Sequence, residues 1–180
     1  MESLRAATRE RHTRIEARVD AENSFASIGT YREFLTRLYG FHAPFSLKLE
    51  ARSSAFPELL PLPPRADLLA LDLLVLGTEA STLPVCTDLP TFASDAEAVG
   101  GLYVVEGSAL GGAVLARLAG RKLELDQDTG TAFLSGSEGL SARWKLLIAR
   151  IDSTAEQHGA DGIIDGACRT FDAMEAWLCR

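Results

Sequence analysis

The chain has 180 residues, the size of one domain with room for one sizeable core. Apolar residues make up 47%, charged residues 24% and aromatics 7%, an ordinary globular mixture that excludes collagen-like, disordered and disulfide-scaffold classes. Eighteen Lys and Arg against 25 Asp and Glu leave a net charge of −7, so no global positive field exists to hold a phosphate backbone and a nucleic-acid partner is not expected.

Period-2 alternation nowhere runs for long, whereas helical spacing recurs in almost every segment, which predicts an all-α protein forming one domain over 1–180. Met1 to Arg5 lack the apolar core of a signal peptide, and a first helix is expected from Ser3 to Val19. A second helix should open at a capping box, Thr30 with Glu33, and run to about Arg52 with a bend at Pro44. Four prolines between Phe56 and Pro64 forbid helix there. A third helix covers about Asp67 to Leu76. The longest apolar stretch, Leu68 to Leu76, is short and broken by Asp72, so no membrane association is expected. Thr78 to Pro90 is turn-rich, and a second capping box, Ser94 with Glu97, opens a long segment ending near Ala119. Gly130, Gly136 and Gly139 punctuate the next stretch, and two final helices span about Leu140 to Glu156 and Gly162 to Leu178. Cys86, Cys168 and Cys179 are widely spaced and contain no C-x-x-C, which suits buried thiols in a reducing cytoplasm.

Two segments carry chemistry. On the first helix, at 100° per residue, Leu4, Ala7, Thr8, Arg11, Ile15 and Val19 form an apolar-dominated stripe. His12 stands at its edge, with Arg5, Glu16 and Arg9 following on the polar side. Glu16, four residues after His12, can accept the proton of the second imidazole nitrogen, the arrangement a metal-ligating histidine needs. By itself the helix also fits a boundary histidine with solvated neighbours. The second segment, Gly100 to Gly112, holds five glycines inside a stretch otherwise suited to helix, and each costs roughly 1 kcal/mol relative to alanine. Gly100, Gly107 and Gly111 fall on nearly one side of the wheel. Tight helix packing through small residues accounts for that; so does a flat ligand lying on bare backbone of a helix that can kink there. A planar macrocycle gripped between His12 and the glycines would use both features.

Leu4-Arg5-x-x-Thr8-x-x-x-His12 resembles the proximal-helix motif of haem oxygenases, and Tyr103-Val104-Val105-Glu106-Gly107-Ser108-x-Leu110-Gly111-Gly112 resembles their distal helix. Leu38 to Pro44 and the Arg65-to-Gly77 segment are similar to the short bacterial members that accompany bacteriophytochromes, so the likeness covers essentially the whole chain. It implies an all-α, single-domain bundle of the haem oxygenase type, with haem sandwiched between a proximal helix and a kinked distal helix. Residue by residue, it makes His12 the axial ligand, Glu16 the group that holds His12, and Arg5 and Arg9 propionate anchors. Tyr103 and Gly112 become haem contacts, and Gly107, Ser108 and Gly111 the distal side where oxygen is handled. A further basic contact is expected from Arg143, Lys145 or Arg150 on the penultimate helix, which spacing does not separate.

Ser108 departs from the aspartate of many members, although the subgroup resembled most also has serine. The proton path must then use ordered waters and other groups. The resemblance implies haem as both cofactor and substrate, cleaved with dioxygen and external electrons to biliverdin, ferrous iron and carbon monoxide. Electrons would come from a reductase or ferredoxin, since the chain has no dinucleotide fingerprint, and biliverdin could pass to a bacteriophytochrome. The alternative is a non-catalytic haem-binding protein with the same pocket and no competent proton relay. His42 is expected to be a packed helix histidine, with a second axial ligand as its other reading, and His158 to be solvated. Trp144, Phe171, Met174 and Trp177 are expected in the core, and the absence of Glu-x-x-His disfavours a di-iron bundle.

Overall fold

The computed structural model describes residues 1–19, 21–136 and 139–179. Among them every regular element is helical: α1 (Glu2–Arg18), α2 (Ala21–Ser24), α3 (Ile28–Glu50), α4 (Arg65–Val75), α5 (Asp95–Leu123), α6 (Ala132–Ser135), α7 (Leu140–His158) and α8 (Asp161–Leu178). Single 3₁₀ turns at Ser53–Ala55, Pro57–Leu59 and Ala80–Thr82 fill the connections. The α4 and α7 starts and the α8 end fall within two residues of the sequence-based bounds. The α3 cap does not: Ser27, not Thr30, is the N-cap, its Oγ accepting from Thr30 N at 3.2 Å while Ser27 N donates to Thr30 Oγ1 at 3.1 Å. Thr30 thus fills the reciprocal position usually held by Glu or Gln. Pro44 lies within α3 without ending it.

Two apolar clusters form the interior. The larger gathers Phe41 and Phe45 of α3, Val99, Leu102 and Val105 of α5, Leu147 and Ile151 of α7, and Phe171 and Trp177 of α8. The smaller gathers Phe25, Tyr31, Phe34 and Leu35 with Leu69, Leu73, Ala119 and Leu134. α3 and α5 both reach from one to the other. By length and composition α5 could cross a membrane, yet half of its most apolar window is buried in the protein. Between the clusters the outer surface of α5 is bare, since Ser108, Leu110, Gly111, Ala113 and Val114 are exposed.

α8 is the shared floor. It crosses α5 closely enough that a β-carbon at Gly100 would lie 2.1 Å from the Ile163 carbonyl oxygen, and one at Gly166 would lie 2.1 Å from that of Glu97. Its other side carries α1, where Arg11 Nε meets Asp172 at 2.8 Å and Arg14 meets Glu175 at 2.9 Å. The small α6 is set from outside by a buried side chain: Asp72 accepts the Ala132 and Phe133 N–H groups at 2.8 and 2.9 Å. Burial raises the Asp72 pKa, against the pull of those two donors.

Candidate functional site

α1 presents His12 because its inner stripe is anchored by Leu4 and Thr8, both buried, with the Thr8 hydroxyl turned back onto the Leu4 carbonyl at 2.8 Å. One step round the wheel, the His12 side chain is 56% exposed. Its Nδ1 lies 3.2 Å from Glu16 Oε2, and its ring meets Phe171 edge-on at 6.1 Å between centroids. A carboxylate accepting from Nδ1 leaves Nε2 with a lone pair and an open approach, the state in which an imidazole binds a metal. Arg5 and Arg9 are exposed on the same helix and, among the described residues, make no ion pair.

The glycines of α5 divide by what faces them. Gly100 and Gly101 are buried, the second beneath the ring of Phe92, where a β-carbon would lie 2.4 Å from Cζ. These two serve helix packing. Gly107 lies in ordinary contact with Trp144, whose Cη2 would be 3.5 Å from an added β-carbon, and Gly111 would meet nothing within 4 Å. Trp144 leans on Tyr103 at 5.7 Å, so an aromatic pair closes one end of the bare stretch while Leu110, 43% exposed, and Val114, 58% exposed, lie along it. The Ser108 hydroxyl donates to the Val105 carbonyl at 2.9 Å within its own helix. α5 is continuous helix through all five glycines.

Two expected contacts have other employment. Gly112 is buried against α6, where a β-carbon would fall 2.6 Å from the Leu134 carbonyl oxygen, so its lack of a side chain serves packing rather than haem. Arg143 is turned inward: its Nε meets Glu106 at 3.0 Å and its Nη1 donates to the Leu59 carbonyl at 2.6 Å, so two of its nitrogens are already engaged within the protein. Arg150 is likewise committed, gripping Glu58 with two contacts of 2.5 Å that lower the Glu58 pKa. Of the three basic candidates on α7, Lys145 is the exposed one without an ion pair among the described residues.

His42 is buried, its ring edge-on to Phe41 and Phe133 at 5.8 and 5.3 Å. Burial, with Arg65 adding repulsion, pushes its pKa down to about 3, so it is a neutral packed residue. His158 is exposed as expected, and of the cysteines only Cys86 is buried; Cys168 is half-buried and Cys179 exposed on the last turn. Phe171 belongs to the core cluster and also touches His12. Its spacing marks the first role, and nothing in the sequence marks the second, because the two residues lie on the first and last helices of the chain.

A protein-family model described as heme oxygenase matches residues 1–180. The chain belongs to the haem oxygenase family. It is 34% identical over 183 residues to heme oxygenase PigA of Pseudomonas aeruginosa, an alignment covering 96% of this chain and 89% of that one. Its fold matches the NO- and CO-bound heme oxygenase of Neisseria meningitidis with a TM-score of 0.79 at 24% identity, over 98% of this chain and 88% of the other. The protein is therefore a haem oxygenase, an oxidoreductase that degrades haem on an all-α scaffold, and the non-catalytic alternative is set aside.

Proposed function

We propose that this haem oxygenase forms a single site in one domain over 1–180, binding haem between α1 and the bare stretch of α5. His12 Nε2 would hold the iron and Gly107, Ser108 and Gly111 would line the oxygen side. The observation that carries the reading is the His12 imidazole, paired at Nδ1 with Glu16, edge-on to Phe171 and still 56% exposed. The bare backbone of Gly111 suits a flat macrocycle, because a side chain there would fill the space that the ring needs. Arg5 and Arg9 of α1 and Lys145 of α7 supply uncommitted cationic groups for two propionates. Bound haem supplies the redox iron and is itself the carbon skeleton that is opened, giving biliverdin, ferrous iron and carbon monoxide.

The chain's own work is positional. Glu16 keeps the His12 tautomer, and Tyr103 with Trp144 closes off one end of the site. Ser108, with its proton directed to Val105, still offers oxygen lone pairs toward a distal water but carries no charge at neutral pH. Electrons come from an external reductase or ferredoxin in the cytoplasm, and passage of biliverdin to a bacteriophytochrome belongs to the same proposal. The deciding experiment is His12→Ala. The ferric haem complex should lose its axial-imidazole spectrum and regain it on adding imidazole, while stability stays within about 0.5 kcal/mol, as for exposed positions. A variant spectrum identical to wild type without imidazole would remove His12 from the iron.

A further inference from the structure

Glu106 directly precedes Gly107 on α5, and it is 1% exposed. Its carboxylate accepts from Arg143 Nε at 3.0 Å and from Arg65 Nη2 at 3.4 Å. Arg65 opens α4, and Arg143 lies in the first turns of α7. Arg143 Nη1 donates onward to the Leu59 carbonyl at 2.6 Å and the Pro61 carbonyl at 3.3 Å. A single side chain thus ties α5 to α4, to α7 and to the proline-rich loop.

Stability alone does not explain such a cluster. Two cations face one anion, and Arg65 Nε and Arg143 Nη2 are buried without a hydrogen-bond partner. Burying charges is costly enough that well-packed apolar replacements are often neutral or stabilising. What the cluster provides is direction, since two guanidinium groups from different elements fix the rotation of the helix that carries the carboxylate.

Just beyond Glu106, α5 has little else to fix it on its outer side. Gly107 and Gly111 have no side chains, and Ser108, Leu110 and Val114 are exposed. Glu106 stands about 100° round the helix from Gly107 and about 140° from Gly111, on the flank of the bare face. A rotation of about 20° on a Cα radius of about 2.3 Å moves that face by roughly 0.8 Å. Displacements near 1 Å can cost about a hundredfold in a reaction that depends on alignment.

We infer that Glu106 is a positioning residue: through Arg65 and Arg143 it sets the rotation of α5 at Gly107, and with it the edge of haem that is oxidised. The inference rests on the proposed seating of haem against Gly107 and Gly111. It is tested on the full chain loaded with haem, reading the haem-methyl resonances of the ferric complex before any turnover and then, with a chemical reductant, the total rate and the isomer composition of the biliverdin. A purely structural loss lowers the folded fraction and scales all isomers together, so a changed ratio reports a changed placement of haem against α5.

Glu106→Gln should raise the minor-isomer share by at least roughly threefold. Arg143→Lys, which keeps the charge but cannot hold Glu106 and the Leu59 carbonyl together in the same fork, should shift the ratio in the same direction by less. If Glu106→Gln does not yield folded protein, Arg143→Lys decides alone. An unchanged isomer ratio in the folded variant that decides overturns the inference. Gly111→Leu is the control on the seating: if it changes neither rate nor isomers, the seating itself is wrong, whatever Glu106 does.

Discussion

The two halves of α5 use the same residue type for opposite ends. In the first half, Gly100 and Gly101 are consumed by contact, with the Ile163 carbonyl oxygen and the Phe92 ring standing where side chains would be. In the second, Gly111 faces nothing, and Gly107 only the tip of Trp144. Gly100, Gly107 and Gly111 share one side of the helical wheel, so angle does not separate packing glycines from ligand glycines. The neighbour separates them: α8 lies against the start of the helix, whereas from Gly107 to Val114 its outer side is bare, even though Gly112 on another side meets α6.

Substitution is the most direct way to break this contrast. Gly100→Ala forces a methyl into a backbone carbonyl that cannot rotate away, and should cost about 3 kcal/mol or more in urea unfolding. Gly111→Ala in the haem-free protein should instead be neutral or add up to about 1 kcal/mol through helix propensity. Equal effects at both positions would erase the distinction. Next in size is Gly111→Leu, which should leave the unfolding midpoint unchanged while lowering haem turnover by about a hundredfold, because the side chain would stand where haem is proposed to lie.

The inner side of α5 sharpens the comparison through pH. His42 shares a small cavity behind the helix with Arg65 and Glu106. Its folded pKa of about 3 lies below its unfolded value near 6.5, so between these pH values only the unfolded chain takes up the proton, and stability rises with pH. From pH 6.5 down to 5, wild type should lose about 2 kcal/mol more than His42→Leu when both are titrated with urea. Parallel curves would mean that His42 is not held neutral. The smallest effect belongs to Ser108→Ala on the outer side. Because a neutral hydroxyl bonded within its own helix can order a water but not hold its proton, biliverdin formation should fall by roughly tenfold or less, below the 10² to 10⁴ typical of a positioned general acid. A thousandfold loss with haem binding retained would make Ser108 an essential proton carrier.

The long helices were legible because their apolar spacing repeats over several turns, and α5 also announces its start locally. Ser94 caps α5 as its sequence context suggests, accepting from Glu97 N at 3.3 Å. Glu97, however, spends its carboxylate on Ala93 N and on Arg169 of α8, a partner that no local pattern names. α2 and α6 are four residues each, too short for periodicity to register, and α6 depends on a carboxylate 60 positions earlier in the chain. Within the candidate site, the His12–Glu16 pair is readable from its spacing on α1, whereas the wheel of α5 groups the outward Gly107 and Gly111 with the buried Gly100. The commitment of Arg143 to Glu106 is not readable, because 37 positions separate them and a basic residue in α7 reads the same whether it turns in or out. Gly112 escaped for a similar reason: it neighbours Gly111 in sequence but looks toward α6.

α1 is fastened to the rest of the protein in an unusual way for a helix that contributes a wall to a site. Leu4 and Thr8 are its only fully buried side chains among the described residues. The remainder of its grip is partial apolar contact, Met1 and Ile15 against the larger cluster and His12 against Phe171, together with ion pairs at the rim, Met1 on Asp152 and Arg11 and Arg14 on Asp172 and Glu175. Such pairs contribute about 0 to 1 kcal/mol each and weaken as dissolved salt screens them. Raising the salt concentration should therefore loosen α1 before it loosens α5 or α8. In the proposed site, the wall that carries His12 is thus the one whose hold depends most on dissolved ions.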